Sequence, residues 1–485
     1  MDTEYKKPYK NKNMKKTKIV ATIGPASSDK NILRQMFLEG LDVCRLNFSH
    51  GAYEQHVDAI KIIRELNKEL KLNVAILVDL QGPKIRIDEV ENNAITLIKD
   101  EEIKITTTKI VGTAQHISIN YKELPKDVLP GERILLDDGK MCIEIIETNG
   151  VDTIKGKIIY GGILSSKKGV NLPNTKISLP SLTEKDKNDL EFALSQNVDW
   201  IGLSFVRNAR DIIELKHIIA NKQGKAKVIA KIEKPEALTD IDEIIAESDA
   251  LMVARGDLGV EIPYQNVPLI QKMLIKKCIQ NAKPIIVATQ MMESMIVNAS
   301  PTRAEVNDVA NAVLDGADAV MLSGETSVGK FPIETIKTMS NIIKEMETFE
   351  GIYYKEVFPE KNTGRFISDS ICFNACRLEQ RVEANAIITM TFSGYTAYKI
   401  ASQRPKAAIY VFTSNEQILT QLNLIWGVKA FYYDKHISTD HTIADIKYIL
   451  KKEKMLKNGD LVINIATIPL EEDGKTNMLK LSYVE

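Results

Sequence analysis

Ile285-Ile-Val-Ala-Thr289, the helix-period segment Thr302–Leu314, and Ala319-Val-Met-Leu322 followed by Ser323 make one strand–helix–strand unit, and the chain repeats it. Each apolar run is short, β-branched and almost free of polar residues, as a parallel strand covered on both faces requires. Similar runs occur at Lys18–Ile23, Asp42–Phe48, Val74–Leu80, Trp200–Phe205, Lys227–Ile232 and Leu251–Ala254. Helix-period segments include Tyr53–Leu70, Thr183–Ser195 and Gln265–Asn281. Thr183 ahead of Asp186, and Ser300-Pro301 ahead of Thr302, are helix-start signals. Eight strand-then-helix units are the count of a (β/α)8 TIM barrel. A doubly wound open sheet is the alternative.

One unit is interrupted. Between the third strand and its helix lie short alternating runs, Ile103–Thr107, Arg133–Leu136 and Met141–Ile146, separated by Asp-Gly, Asn-Gly and Pro-Gly turns. They read as a small all-β domain inserted at 84–180. An insert after the C-terminal end of a barrel strand sits on the working face and can act as a lid. Beyond 350 a further α/β region follows, with strands expected at Ala386–Met390, Ile409–Phe412, Lys429–Tyr432 and Leu461–Ile465. The expected organisation is a Lys-rich disordered tail at 1–16, a barrel at 17–83 and 181–349, the lid at 84–180 and an α/β domain at 350–485. Met14 is a second possible start.

Length and composition set outer bounds. The 485 residues suffice for about three domains. Lys and Arg number 64 against 65 Asp and Glu, so the net charge of −1 gives no whole-chain attraction to nucleic acid or an anionic membrane. No apolar run reaches the ~18 residues of a spanning helix. Five scattered cysteines and no leader-like N-terminus point to a reduced, cytoplasmic setting rather than a disulfide scaffold.

A barrel enzyme should carry polar residues where its strands end, and this chain does. Arg45, Asn47 and Ser49 alternate along the second strand and its exit, and Asp79 ends the third. Lys231 and Glu233 follow the fifth, Arg255-Gly256-Asp257 the sixth, Thr289 the seventh, and Ser323 with Glu325 the eighth. Singly, each reads as well as a salt bridge or turn cap; recurrence at one end of so many strands does not. Glu233 and Asp257, without nearby Cys or His, form an all-oxygen set suited to Mg2+ or Mn2+. Arg45 and Lys231 add charge for a phosphate. Cations, a divalent metal and a lid suit phosphoryl transfer, where catalysis is mostly positioning and charge neutralisation.

Two other patterns carry less. Gly324-Glu-Thr-Ser-Val-Gly329-Lys330 has Walker A spacing, but Phe331 replaces the hydroxyl that Mg2+ needs and Pro332 opens the next helix. Cys372 and Cys376 are one helical turn apart with no second pair to complete a zinc site, so they read as core.

Longer motifs carry a resemblance to the pyruvate kinase family over nearly the whole chain. They are Lys-Ile-Val-Ala-Thr-Ile-Gly-Pro-Ala-Ser (18–27), Arg-Leu-Asn-Phe-Ser-His-Gly (45–51), Val-Ala-Arg-Gly-Asp-Leu-Gly-Val-Glu (253–261), Ala-Thr-Gln-Met-Met-Glu-Ser-Met (288–295), Pro-Thr-Arg-Ala-Glu-Val (301–306) and Met-Leu-Ser-Gly-Glu-Thr (321–326). The resemblance implies phosphoryl transfer from phosphoenolpyruvate to ADP, giving pyruvate and ATP, by a homotetramer. It implies that Glu233 and Asp257 hold the divalent metal, Lys231 stabilises the transferring phosphoryl group and the enolate, and Arg45 grips the phosphoryl group. Gly256, Asp257 and Thr289 would seat the carboxylate end, with Thr289 near the proton path. Asn47, His50 and Arg86 match nucleotide-side positions, and Lys168 in the lid would reach the nucleotide phosphates on closure. A Mg2+-dependent barrel aldolase or lyase acting on pyruvate enolate is the alternative activity, and a scaffold that kept the fold is the non-catalytic one.

One departure is informative. Many family members need K+ and read Asp-Thr-Lys-Gly-Pro-Glu after the third strand, whereas this chain reads Asp79-Leu80-Gln81-Gly82-Pro83-Lys84. It resembles the K+-independent branch, in which the Lys84 ammonium would stand in for a cation otherwise bound by Asn47, Ser49 and Asp79. In the C-terminal region, the loop with Thr391, Ser393, Gly394 and Thr396 resembles the family's sugar-phosphate effector site. Phe392 replaces a Lys found in some members, and the segment after Ile465 lacks the Trp and Arg of fructose-1,6-bisphosphate-activated members.

Overall fold

The computed structural model describes residues 15–173, 175–435, 438–468 and 476–485. Eight parallel strands form a closed barrel: β1 (Lys18–Thr22), β2 (Val43–Asn47), β3 (Ala75–Asp79), β4 (Trp200–Leu203), β5 (Lys227–Ile232), β6 (Ala250–Ala254), β7 (Ile285–Ala288) and β8 (Ala319–Leu322). They pair in the order β1-β8-β7-β6-β5-β4-β3-β2, so each strand neighbours the next in sequence and the open doubly wound sheet is ruled out. All of β1, β3, β4 and β6 are buried, which is why these strands read as unbroken apolar runs. Of the expected tail, residues 1–14 lie outside the described residues, while Lys15 and Lys16 are placed.

The chain divides into two compact units. One holds the chain up to Leu46, Ala52–Leu77 and Ile275–Glu485; the other holds Asn47–Gly51 and Val78–Leu274.

In the second unit the chain leaves β3 and builds two antiparallel-rich sheets before the next barrel helix. Six strands pair in the order Val170–Asn171, Arg133–Leu136, Met141–Thr148, Thr153–Tyr160, Glu102–Thr106 and His116–Ser118, and Ala94–Leu97 pairs with Gly162–Ser165. Ile103, Ile117, Ile134, Ile143 and Ile158 fill a core of its own. The return enters helix α1 (Glu184–Ser195), capped as its sequence predicts: the Thr183 hydroxyl accepts from the Asp186 N–H and the Asp186 carboxylate accepts from the Thr183 N–H. After β6 comes a short helix, α2 (Arg255–Glu261), where the sequence suggests only a strand exit.

In the first unit a five-stranded sheet lies C-terminal to the barrel segments: β9 (Ala386–Met390), β10 (Ala408–Thr413), β11 (Val428–Tyr432), β12 (Leu461–Ala466) and β13 (Met478–Tyr483), in the order β11-β10-β9-β12-β13. The last is antiparallel to β12 and has no fully buried residue, so it lacks the apolar signature of the other four. Lys16 ties this sheet to the chain start. Its ammonium donates to the carbonyls of Pro405 (3.2 Å) and Ala407 (2.7 Å), and its own N–H binds Glu347. All five cysteines are free and buried, and among the described residues no helix is long and apolar enough to cross a membrane.

Candidate active site

Lys231, near the end of β5, is buried, with its ammonium donating to the Ser204 hydroxyl at 2.7 Å and ion-paired with Glu233 (Oε1, 2.9 Å) and Asp79 (Oδ1, 3.2 Å). The hydrogen bond sets its direction and the two carboxylates balance its charge. Asp79 and Glu233 are each about 1 % exposed. Two residues on from Lys231, just past β5, Glu233 also accepts from the Phe205 N–H through Oε2, at 2.8 Å. Burial pushes the Glu233 carboxyl above its ordinary range, Lys231 pulls it back down, and Asp257 raises it again by like-charge repulsion.

That repulsion is the physical test for a metal. A buried carboxylate whose charge is opposed by a neighbouring carboxylate is relieved by a hard divalent cation bound to both oxygen donors. Among the described residues no group of three or more His, Cys, Asp and Glu forms a fuller cage. The donor set therefore fits a metal that takes its remaining ligands from substrate and water. Asp257 and Gly256 lie in the first turn of α2, and Asp257 borders a cavity also lined by Lys84, Asn171, Arg207, Lys234 and Glu261. Glu261, at the other end of α2, pairs with Lys234 (2.7 Å) and accepts from Asn171 of the lid sheet (2.9 Å).

The remaining residues of this unit are placed as follows. Asn47 ends β2, and its side-chain oxygen accepts from the Ser49 N–H at 3.1 Å, folding Ser49 and His50 into a turn just beyond the strand. His50 is exposed. Arg86 donates to the Lys167 carbonyl and Lys168 pairs with Asp137 at 2.8 Å, so both are held inside the lid sheets. Among the described residues the Lys84 ammonium makes no hydrogen bond or ion pair.

In the other unit, Arg45 is buried on β2 and donates to the Thr22 hydroxyl at 2.9 Å. Thr289 follows β7 with φ 68°, and Gln290 has φ 54°. A left-handed β-branched residue is a strained conformation of the kind found at functional sites. Its hydroxyl donates to the Ala288 carbonyl at 2.6 Å. In the C-terminal sheet, Gly394 has φ 84° at the start of the helix Tyr395–Ser402 and donates to the Thr391 hydroxyl. Thr396 is buried against Thr389, and the Ser393 hydroxyl accepts from the Tyr395 N–H. The segment expected to shape this loop after Ile465 falls partly on 469–475, outside the described residues.

Reading from the sequence missed Ser204, Phe205 and the Glu261–Lys234 pair, and found Asp186 only as a helix cap, not as the partner of the Gly82 N–H. Ser204 follows an apolar run at its C-terminal end, so the signal that found Lys231 and Thr289 applied to it too.

Comparison with known proteins agrees with this geometry. The family description "Pyruvate kinase, barrel domain" matches residues 14–336, and "Pyruvate kinase, alpha/beta domain" matches residues 369–482. The chain is 44% identical to the pyruvate kinase of Geobacillus stearothermophilus, over 97% of this chain and 80% of that one. It is likewise 44% identical to that of Corynebacterium glutamicum, over 96% and 97%. It superposes on the crystal structure of a pyruvate kinase from Cryptosporidium parvum with a TM-score of 0.89 at 36% identity, covering 97% of this chain and 96% of that chain.

Proposed function

The chain belongs to the pyruvate kinase family, and from that premise we propose that it transfers the phosphoryl group of phosphoenolpyruvate to ADP with Mg2+ or Mn2+ and without K+, as the last step of glycolysis in the cytoplasm. The observation that carries the reading is the buried Lys231 ammonium locked between Asp79, Ser204 and Glu233, with Asp257 acting on Glu233.

Glu233 and Asp257 would hold the divalent cation, which supplies charge neutralisation to the transferring phosphoryl group and the enolate oxygen. Lys231 presents a fixed positive charge to the same phosphoryl oxygens, so little reorganisation accompanies transfer. Arg45 forks onto the phosphoryl group. The Gly256 backbone, Asp257 and Thr289 orient the substrate carboxylate, and the Thr289 hydroxyl, through water, delivers the proton that turns enolpyruvate into pyruvate. Asn47, His50 and Arg86 serve the nucleotide, and Lys168 leaves Asp137 to meet its phosphates as the lid closes.

Independence from K+ rests on Lys84. Its ammonium has no protein partner among the described residues and it borders the cavity that Asp257 and Glu261 line. Leu80 brings no hydroxyl to a cation that Asn47, Ser49 and Asp79 would otherwise share. We further propose a homotetramer in which 17–83 and 181–349 form the catalytic barrel, 84–180 the lid and 350–485 a regulatory domain. Its loop at Thr391, Ser393, Gly394 and Thr396 would take a phosphorylated effector through hydroxyls and helix N–H groups.

The test is pyruvate release from phosphoenolpyruvate and ADP with Mg2+ in tetramethylammonium buffer. Full rate there, unchanged by added K+, is expected. Consumption of phosphoenolpyruvate or pyruvate without ADP would instead favour a lyase.

A further inference from the structure

Lys231 and Glu233 are joined to the two chain crossings of the lid by a short path of buried contacts. The outgoing crossing leaves β3 through Leu80 and Gly82. The Leu80 N–H donates to the Gly202 carbonyl at 3.0 Å, and the Leu80 carbonyl accepts from the Ser204 hydroxyl at 2.7 Å. Because Ser204 gives its one proton to Leu80, it meets Lys231 only as an acceptor, at 2.7 Å. Phe205 comes next. Its N–H holds Glu233 and its φ is 55°, a left-handed conformation that costs a bulky residue free energy.

Gly82 packs directly against that turn. At φ 70° it passes so close to this turn that a Cβ there would lie 2.8 Å from the Phe205 ring and 3.0 Å from Ser204 Cβ. Its N–H donates to Asp186 Oδ1 at 3.0 Å, while Asp186 Oδ2 accepts from the Thr183 N–H at 2.9 Å. Asp186 is fully buried, so one carboxylate pins the outgoing crossing at 82 to the returning crossing at 183.

We propose that Ser204 and Phe205 are positioning residues that transmit the setting of the lid hinge to Lys231 and Glu233. The inference rests on the phosphotransferase reading and says how that site is set. Neither residue need touch substrate. Ser204 fixes the aim of the Lys231 ammonium from the hinge carbonyl, and the Phe205 turn fixes Glu233. A shift of Gly82 or Leu80 therefore reaches both groups without crossing solvent. Displacements of ~1 Å at such groups change rates up to about 100-fold.

The experiment compares wild type, Ser204→Ala, Ser204→Thr and Gly82→Ala by steady-state kinetics, Mn2+ affinity without substrates, and melting temperature. For Ser204→Ala the link predicts kcat about tenfold lower, KM for phosphoenolpyruvate within about threefold, and Mn2+ affinity unchanged, since Glu233 keeps its Phe205 contact. Ser204→Thr, which retains the hydroxyl, recovers most of kcat. Gly82→Ala, which pushes on the Phe205 ring, weakens Mn2+ binding about fivefold or more. Wild-type kcat in Ser204→Ala, failure of Thr to rescue it at wild-type melting temperature, or unchanged Mn2+ affinity in Gly82→Ala overturns the link alone. A wild type that binds Mn2+ but makes no pyruvate overturns the parent reading and the link with it.

Discussion

Of the buried lysines that sit beside carboxylates, Lys231 and Lys16 have different surroundings. Lys231 faces the side chains of Asp79, Ser204 and Glu233 at the end of a barrel strand. Lys16 donates to two main-chain carbonyls, lies 4.9 Å from the Trp426 ring, and belongs with Glu347 and Glu379 in the other unit. Glu347 is spent on the N–H groups of Lys16 and Thr17, and Glu379 on the Ala407 N–H. Carbonyls of fixed backbone cannot follow a reacting group, whereas rotatable side chains can release one N–H to a phosphoryl oxygen. Between these two lysines, partner type, more than burial or charge, separates the one proposed to act from the one that fastens.

Exchanging each lysine for methionine breaks or sharpens this contrast. Lys231→Met should lower kcat by roughly three orders of magnitude, because a preorganised charge at the phosphoryl group is lost. Stopped-time pyruvate assays read it, and a loss below tenfold would place Lys231 with Lys16. Lys16→Met should leave kcat within about threefold and cost about 2–3 kcal/mol of stability, since two charge-assisted hydrogen bonds vanish. Urea unfolding of the whole enzyme reads that loss.

The fastening cluster should also titrate. Burial raises the Glu379 carboxyl to about 7 and lowers the Lys16 ammonium to about 8. The folded state thus keeps a proton on Glu379 that the unfolded chain releases near its ordinary value. That contribution is complete below about pH 4.5 and is lost as pH rises toward 7, by up to ~3 kcal/mol. Glu379→Gln should flatten melting temperature against pH across that window. A slope equal to wild type would remove Glu379 as its source.

The smallest expected effect lies in the lid. Lys168 pairs with Asp137, whose carboxyl Lys168 holds below its usual range. Asp137→Asn should free Lys168 and lower KM for ADP about twofold, because an ion pair with its ammonium partly in solvent is worth under about 1 kcal/mol. An increase in KM would show that Asp137 aims Lys168 rather than restrains it.

Much of the barrel is legible in the sequence because its strands are apolar on both faces: β5 and β8 match their expected bounds and β1 differs by one residue. The lid strand Thr153–Tyr160 escapes notice because Gly156, set against Ile143, interrupts its alternating apolar run. Strand β13 escapes because it is an exposed edge. Helix α2 escapes because Gly256 and Gly259 weaken its helix signal. At the site, residue types and strand-end positions single out Lys231, Glu233 and Asp257. No periodicity reveals that Asp79 meets Lys231, 152 residues away in the chain, that Phe205 turns left-handed, or that Asp186 joins residues 82 and 183. Those facts arise from tertiary contact and appear only with the fold.

The K+ dependence of pyruvate formation by wild type and Lys84→Glu, in tetramethylammonium buffer with Mg2+, tests the proposed role of Lys84 most directly. Wild type should run at full rate without K+, and the variant should be slow until K+ is added. A wild type that needs K+, or a Lys84→Glu enzyme indifferent to it, would contradict the claim that Lys84 takes the cation's place.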